Sequence, residues 1–271
     1  MFTPPAFGAA DAAVFETFVV PRYLAYFGDV LQEMLLVGAG ARVAHLGCRV
    51  GYPDQALLAR VPMSTLVGVD ATTAYLELAR SKALVGSPGR AEYLTCATLP
   101  TALTSEAFSH VLALHPSLGR AGRVELFQEM ARLLYRGGQA LVALPMRGSF
   151  PELWDLLREF ALKHDEGDLG RAIDAAVLSR PNLEGLSEEL EEAGLDDIDV
   201  ETRVATLVFD SGRAFFEDPV TRLLLVPELT ESLGRKELER PMAYLRDAID
   251  KYWSEGSFEL TVHVGCASAR K

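Results

Sequence analysis

The sequence predicts an α/β fold: a doubly wound, mostly parallel seven-stranded sheet with a helical cap, in a single domain over residues 1–271. Three observations predict it. Short apolar strands alternate with amphipathic helices from Arg42 to Leu144, the pattern of a parallel sheet covered by helices on both faces. A glycine-rich turn, Gly47-Cys48-Arg49-Val50-Gly51, follows the first of those strands. An acid, Asp70, closes the second. A chain of 271 residues with 49% apolar side chains is large enough for one sizeable core.

The first forty residues read as two helices broken at Pro21, with Val14, Phe18, Leu24 and Phe27 before Leu31, Met34 and Leu35, and ended by Gly38-Ala39-Gly40. Arg42 to Leu46 is the first expected strand, and Pro53 suits the first turn of a helix to about Arg60. Leu66 to Val69, Glu92 to Thr95 and His110 to Leu114 follow as strands. Thr72 or Thr73 is the expected cap of a helix that places Tyr75, Leu78 and Ala79 on one face. Phe127, Met130, Ala131 and Leu134 recur at helical spacing, and that helix is expected to stop at Gly137-Gly138 before a fifth strand, Gln139 to Leu144. Ser149-Phe150-Pro151-Glu152 has the form of a capping box ahead of Leu153, Leu156, Leu157 and Phe160. Ile198 to Phe209 and Phe258 to Val264 are late strands, the second antiparallel at or beside an edge. Met242, Leu245, Ile249 and Tyr252 form another helical stripe. The segments at roughly 165–195 and 211–255 are expected to lie over the strand ends as the cap.

Composition narrows the function. The net charge is −12, whereas nucleic-acid binders present a basic face. No RNA or DNA complex is expected at physiological salt, and a gel-shift titration that found a salt-sensitive micromolar complex would refute this. Glu184 to Glu201 holds nine carboxylates and no Lys or Arg. A solvated helix face and turn is expected there in preference to a dock for a basic partner. No apolar run reaches the ~18 residues of a membrane span, and Met1 to Ala10 lacks the basic start of a secretory signal. Cys48, Cys96 and Cys266 fit neither a metal spacing nor a disulfide framework. A cytoplasmic protein is the expectation, with a small molecule or a protein as partner and a homo-oligomer left open.

Residues 14 to 145 resemble the class I S-adenosylmethionine-dependent methyltransferases of the small-molecule branch. Val43-Ala44-His45-Leu46-Gly47-Cys48-Arg49-Val50-Gly51 is similar to that family's first motif, and Val67-Gly68-Val69-Asp70 to its second. Tyr93 to Pro100 resembles the third and Phe108 to Leu114 the fourth. Arg132-Leu133-Leu134-Tyr135-Arg136-Gly137-Gly138 is similar to the end of the family's fifth helix. The resemblance implies N-terminal helices over 1–40, a cofactor-binding core over 41–147, and cap helices and C-terminal strands over 148–271. It implies S-adenosylmethionine as cofactor, with His45, Gly47, Arg49, Gly51, Asp70, Ala71, Cys96, Ala97 and Leu114 at its site. Elementary chemistry supports two of these roles. Glycines after a strand let backbone approach a ligand at positive φ, and a carboxylate at the end of the second strand can accept both hydroxyls of a ribose.

The motifs also depart from the family. His45 stands where it carries an acid, Arg49 where it carries a glycine, and Cys96 where an acid contacts adenine. Ser109 follows Phe108 in place of an acid, and Arg136 replaces a proline before the paired glycines. His45 either reaches the ligand's methionine end or is satisfied inside the protein, the second being favoured. Arg49 either binds the cofactor's carboxylate or occupies the pocket itself; in the second case catalysis would be excluded. Cys96 is expected to be a small buried residue. His115, after the fourth strand, is a candidate general base for a hydroxyl or amine, weighed against a plain loop histidine. His110, His164 and His263 form no constellation with it. A hydrogen bond to a charged group contributes roughly 1.5–3 kcal/mol, so two lost partners weaken binding by about 10²- to 10⁴-fold. The expected function is a methyltransferase-fold protein with a degraded cofactor site, a weakly active or non-catalytic binding or regulatory pseudoenzyme. Its S-adenosylmethionine dissociation constant is expected on the order of 100 μM or weaker. The alternative is an active methyltransferase acting on a small molecule.

Overall fold

The computed structural model describes residues 8–36, 38–234 and 238–271. A helical run opens the chain: α1 (Ala9–Val14), a π-helical stretch (Phe15–Leu24) and α2 (Ala25–Met34). Then come β1 (Arg42–Leu46), α3 (Asp54–Arg60), β2 (Thr65–Asp70), α4 (Thr73–Gly86), β3 (Ala91–Thr95), β4 (Phe108–Leu114), α5 (Arg120–Leu133) and β5 (Leu134–Pro145). The remainder comprises α6 (Pro151–Lys163), α7 (Gly167–Ser179), α8 (Leu183–Glu192), β6 (Asp196–Phe209), α9 (Gly212–Glu217), a π turn (Thr221–Leu225), α10 (Val226–Leu233), α11 (Glu239–Tyr252) and β7 (Phe258–Arg270).

The seven strands form one sheet in the order β3-β2-β1-β4-β5-β7-β6. The pairs β1–β2, β1–β4, β2–β3 and β4–β5 are parallel. Strand β7 runs antiparallel beside the edge strand, as the alternation at Phe258 to Val264 predicts. All seven residues of β4 are buried, because a central parallel strand is covered on both faces and reads as a continuous apolar run. Its two polar members are satisfied. The Ser109 hydroxyl accepts from the Arg42 N–H and donates to the Arg42 carbonyl, both at 2.9 Å, and His110 Nε2 bonds the Leu36 carbonyl at 2.9 Å.

The chain divides into two compact units. Among the described residues one contains 145–182 and 203–264; the other contains 8–144 with 183–202 and 265–271. Among the described residues no helix is long and apolar enough to cross a membrane.

Four local expectations are corrected. Pro21 does not break the first helix: it lies within the π-helical stretch, whose wider ladder accommodates a ring that offers no N–H. Helix α5 ends at Leu133, before the paired glycines, because they belong to a strand. The Gly137 N–H donates to the Lys271 carbonyl at 2.6 Å, and the Lys271 N–H to the Gly138 carbonyl at 3.2 Å. Ser149 and Glu152 do not cap α6, whose N-cap is Phe150 at φ 64°. The Ser149 hydroxyl bonds the His263 backbone and the Glu152 carboxylate bonds Thr261, so both fasten the helix start to β7. The acidic stretch is not all solvated, since Glu189 is buried against Arg123 in a two-pronged pair at 2.7 and 2.8 Å.

Candidate functional site

In a doubly wound sheet the ligand crevice opens beyond the carboxyl ends of the strands where the order reverses, here between β1 and β4. The turn after β1 begins with Gly47 at φ 67° and ends with Gly51 at φ 73°. The N–H groups of Gly47 and Cys48 donate to the Val69 carbonyl at 2.9 and 3.1 Å, fastening the turn to the end of β2. The two glycines serve different ends. At Gly47 a Cβ would find no atom within 4 Å, so this position is open to a ligand. At Gly51 a Cβ would lie 2.8 Å from the Tyr93 hydroxyl; that glycine admits a close internal neighbour.

Asp70 closes β2 and organises the turn. Its Oδ2 accepts the Arg49 N–H at 3.0 Å and its Oδ1 the Thr72 N–H at 2.8 Å. Each oxygen keeps capacity for a second donor, as a carboxylate has about four lone-pair sites. Beside it, the Cys96 N–H donates to the Asp70 carbonyl at 2.8 Å and the Cys96 thiol to the Thr98 carbonyl at 3.2 Å. Cys96 is half-buried rather than buried, and Ala71 and Ala97 are exposed.

Arg49 is in the left-handed region at φ 47°, uncommon for a non-glycine residue. Its Nη1 and Nη2 donate to the carbonyls of Leu114 and His115, each at 2.8 Å. The side chain thus starts on the turn after β1 and ends on the last residue of β4 and its successor. His115 faces it, also left-handed, at φ 52°. Two non-glycine residues in this sparsely populated region, joined across the switch point, are the kind of local strain that collects at functional sites.

His115 is fully buried. Its Nε2 shares a 2.9 Å hydrogen bond with the Tyr23 hydroxyl, and the rings of Tyr23 and Phe27 meet it edge-on at 5.2 and 4.9 Å. The N-terminal helical run therefore supplies one side of the site. That run is also tied to the glycine turn: Lys82 Nζ donates to Glu16 Oε1 at 2.7 Å and to the Val50 carbonyl at 2.9 Å.

His45 leaves this group. It is fully buried, and its Nδ1 donates to Asp54 Oδ1 at 2.7 Å, while Asp54 Oδ2 accepts the Tyr93 hydroxyl at 2.9 Å. Burial, and then the Asp54 charge, push the Tyr93 hydroxyl well above its ordinary range, so it stays a neutral donor. Burial likewise raises the Cys48 thiol, helped by Asp54 and Asp70, which leaves no thiolate for nucleophilic chemistry. Sequence reasoning missed Asp54, Tyr93 and Tyr23. A histidine at a strand end with an acid in the first turn of the next helix was the available signal for Asp54; Tyr23 carried none.

The structure thus joins Arg49, Asp70, Leu114 and His115 by hydrogen bonds and sets His45 apart. Among the described residues no cluster of three or more His, Cys, Asp or Glu could hold a metal ion. The groups present suit a nucleoside bearing an amino-acid end: acceptor capacity at Asp70, an open Gly47, two carbonyls and a guanidinium at β4.

The strand order, the reversed β7 and the glycine turn facing Asp70 define the class I S-adenosylmethionine-dependent methyltransferase fold. The methyltransferase GfsG of Streptomyces halstedii is 27% identical over 182 residues, which cover 65% of this chain and 62% of that protein. The chain therefore matches less than two thirds of that relative's length. No family model matches the sequence. Among solved structures, Haemonchus contortus phosphoethanolamine N-methyltransferase 2, in complex with phosphomonomethylethanolamine and S-adenosylhomocysteine, superposes with a TM-score of 0.59 at 17% identity, covering 98% of this chain and 58% of that one. The [4+2]-cyclase SpnF superposes with a TM-score of 0.55 at 16% identity, covering 100% and 99%. The fold is shared by proteins of different named reactions, so the chemistry must be argued from the site.

Proposed function

We propose that this protein is an S-adenosylmethionine-dependent methyltransferase acting on a small molecule. The observation that carries the proposal is the Tyr23–His115 pair at the end of β4, across the switch point from Asp70 and the glycine turn. In this assignment Asp70 accepts the ribose hydroxyls, Gly47 allows close approach, and the carbonyls of Leu114 and His115 receive the ammonium of the amino-acid end. When bound, the cofactor supplies a methyl group activated by a sulfonium. His115, oriented by Tyr23, takes the proton that a hydroxyl or amine substrate releases as it is methylated. Methyl transfer otherwise asks chiefly for alignment. The similarity to a named methyltransferase at 27% identity supports the same assignment.

Calorimetric titration tests it. The wild type is expected to bind S-adenosylhomocysteine, and Asp70→Ala to weaken that binding about 10²-fold through loss of the ribose acceptor, with circular dichroism confirming the fold. A folded wild type that binds neither S-adenosylmethionine, S-adenosylhomocysteine nor 5′-methylthioadenosine would remove the assignment. It would promote a second one, a non-catalytic binding or regulatory protein, which the Arg49 side chain favours by spanning the crevice.

A further inference from the structure

We propose that Arg49 is a built-in gate for the amino-acid end of the cofactor, an extension that rests on the cofactor assignment made above. The guanidinium bonds two successive carbonyls, those of Leu114 and His115, each at 2.8 Å. Its planar fork fits such a pair of acceptors in one fixed orientation. The backbone end is fixed as well, because the Arg49 N–H donates to Asp70 at 3.0 Å. The side chain is therefore a strut across the mouth of the switch point, anchored at both ends.

Two carbonyls that hold one cation are equally suited to another. An α-ammonium carries three donors and satisfies the same acceptors. The ammonium of an amino-acid ligand and the guanidinium of Arg49 accordingly compete for one subsite. The nucleoside end meets no such competitor. Asp70 ends β2 and Cys96 follows β3, and both strands lie on the far side of β1 from β4. Apparent affinity for a ligand with an amino-acid end falls by the fraction of molecules in which the gate is open, whereas affinity for the bare nucleoside does not. The gate thus sets the occupancy of the cofactor.

The test is calorimetry on the full chain with two probes, S-adenosylhomocysteine and 5′-methylthioadenosine, which lacks the amino-acid end. Arg49→Gly and Arg49→Asn both tolerate a left-handed backbone and keep the N–H to Asp70. Both are expected to bind S-adenosylhomocysteine about 10- to 100-fold more tightly than the wild type. The affinity for 5′-methylthioadenosine is expected to change by less than about threefold. Arg49→Lys, a point charge that cannot fork across both carbonyls, is expected to gain only roughly threefold. Weaker or unchanged binding of S-adenosylhomocysteine in folded variants that still bind the nucleoside overturns the gate and leaves the cofactor assignment standing. An equal gain for both probes also overturns it, since that is blockage of the whole crevice. Binding of neither probe by any of the proteins overturns the cofactor assignment and the gate together.

Discussion

Replacing His115 by alanine is expected to lower kcat by about 10²- to 10⁴-fold while S-adenosylhomocysteine binding stays within about threefold. The imidazole is fully buried and bonded to the Tyr23 hydroxyl at 2.9 Å, and the backbone carbonyl of residue 115 accepts from Arg49. Truncation therefore removes the proton acceptor and leaves the carbonyl of residue 115 in place. Tyr23→Phe keeps the edge-on ring contact but loses the hydrogen bond, and a smaller fall of roughly tenfold is expected because orientation alone is relaxed. The measurement is transfer of labelled methyl from S-adenosylmethionine to a panel of hydroxyl- and amine-bearing small molecules, followed by single-turnover rates on whichever acceptor the wild type modifies. An alanine variant with wild-type turnover would reduce His115 to a core residue.

The largest effect on stability is expected at Asp54. Asp54→Ala removes the acceptor shared by the His45 Nδ1–H and the Tyr93 hydroxyl, at 2.7 and 2.9 Å, and all three side chains are buried. Two buried donors without acceptors cost about 3–5 kcal/mol, which for a chain of this size lowers Tm by roughly 10 °C. Asp54→Asn retains one acceptor oxygen and should recover part of the loss. Because Tyr93 packs beneath Gly51, the damage should spread to the glycine turn and weaken cofactor binding as well. Thermal denaturation followed by circular dichroism reads the first effect. An alanine variant melting within about 2 °C of wild type would show that water replaces the carboxylate at no loss.

Much of the fold could be read along the chain. The first five strands were placed to within a few residues, apart from β5, because buried parallel strands and amphipathic helices leave distinct periodicities. The β5 boundary failed at Leu134, which continues the helical stripe of Phe127 and Met130 yet begins a strand, since pairing with Lys271 lies outside any local window. The same holds for Ser149 and Glu152, whose capping pattern is correct in form while their partners on β7 are more than a hundred residues away.

At the site the division is sharper. The fold class, the glycine turn after β1 and the acid ending β2 are legible in residue order alone, because backbone conformation and position at a strand end are local properties that residue type reports. Residue order also marks Arg49 as the residue on which function turns, without deciding between a ligand for the cofactor and an occupant of its pocket. Long-range packing is what brings the guanidinium to Leu114 and His115, His45 to Asp54, and Tyr23 to His115. Hydrogen-bond partners of long side chains are set by which strand ends and helices are neighbours in space. Between Arg49 and His115, or Tyr23 and His115, that neighbourhood is created by the crossover from β3 to β4 and by the return of the N-terminal helices, and no periodicity in the chain records it.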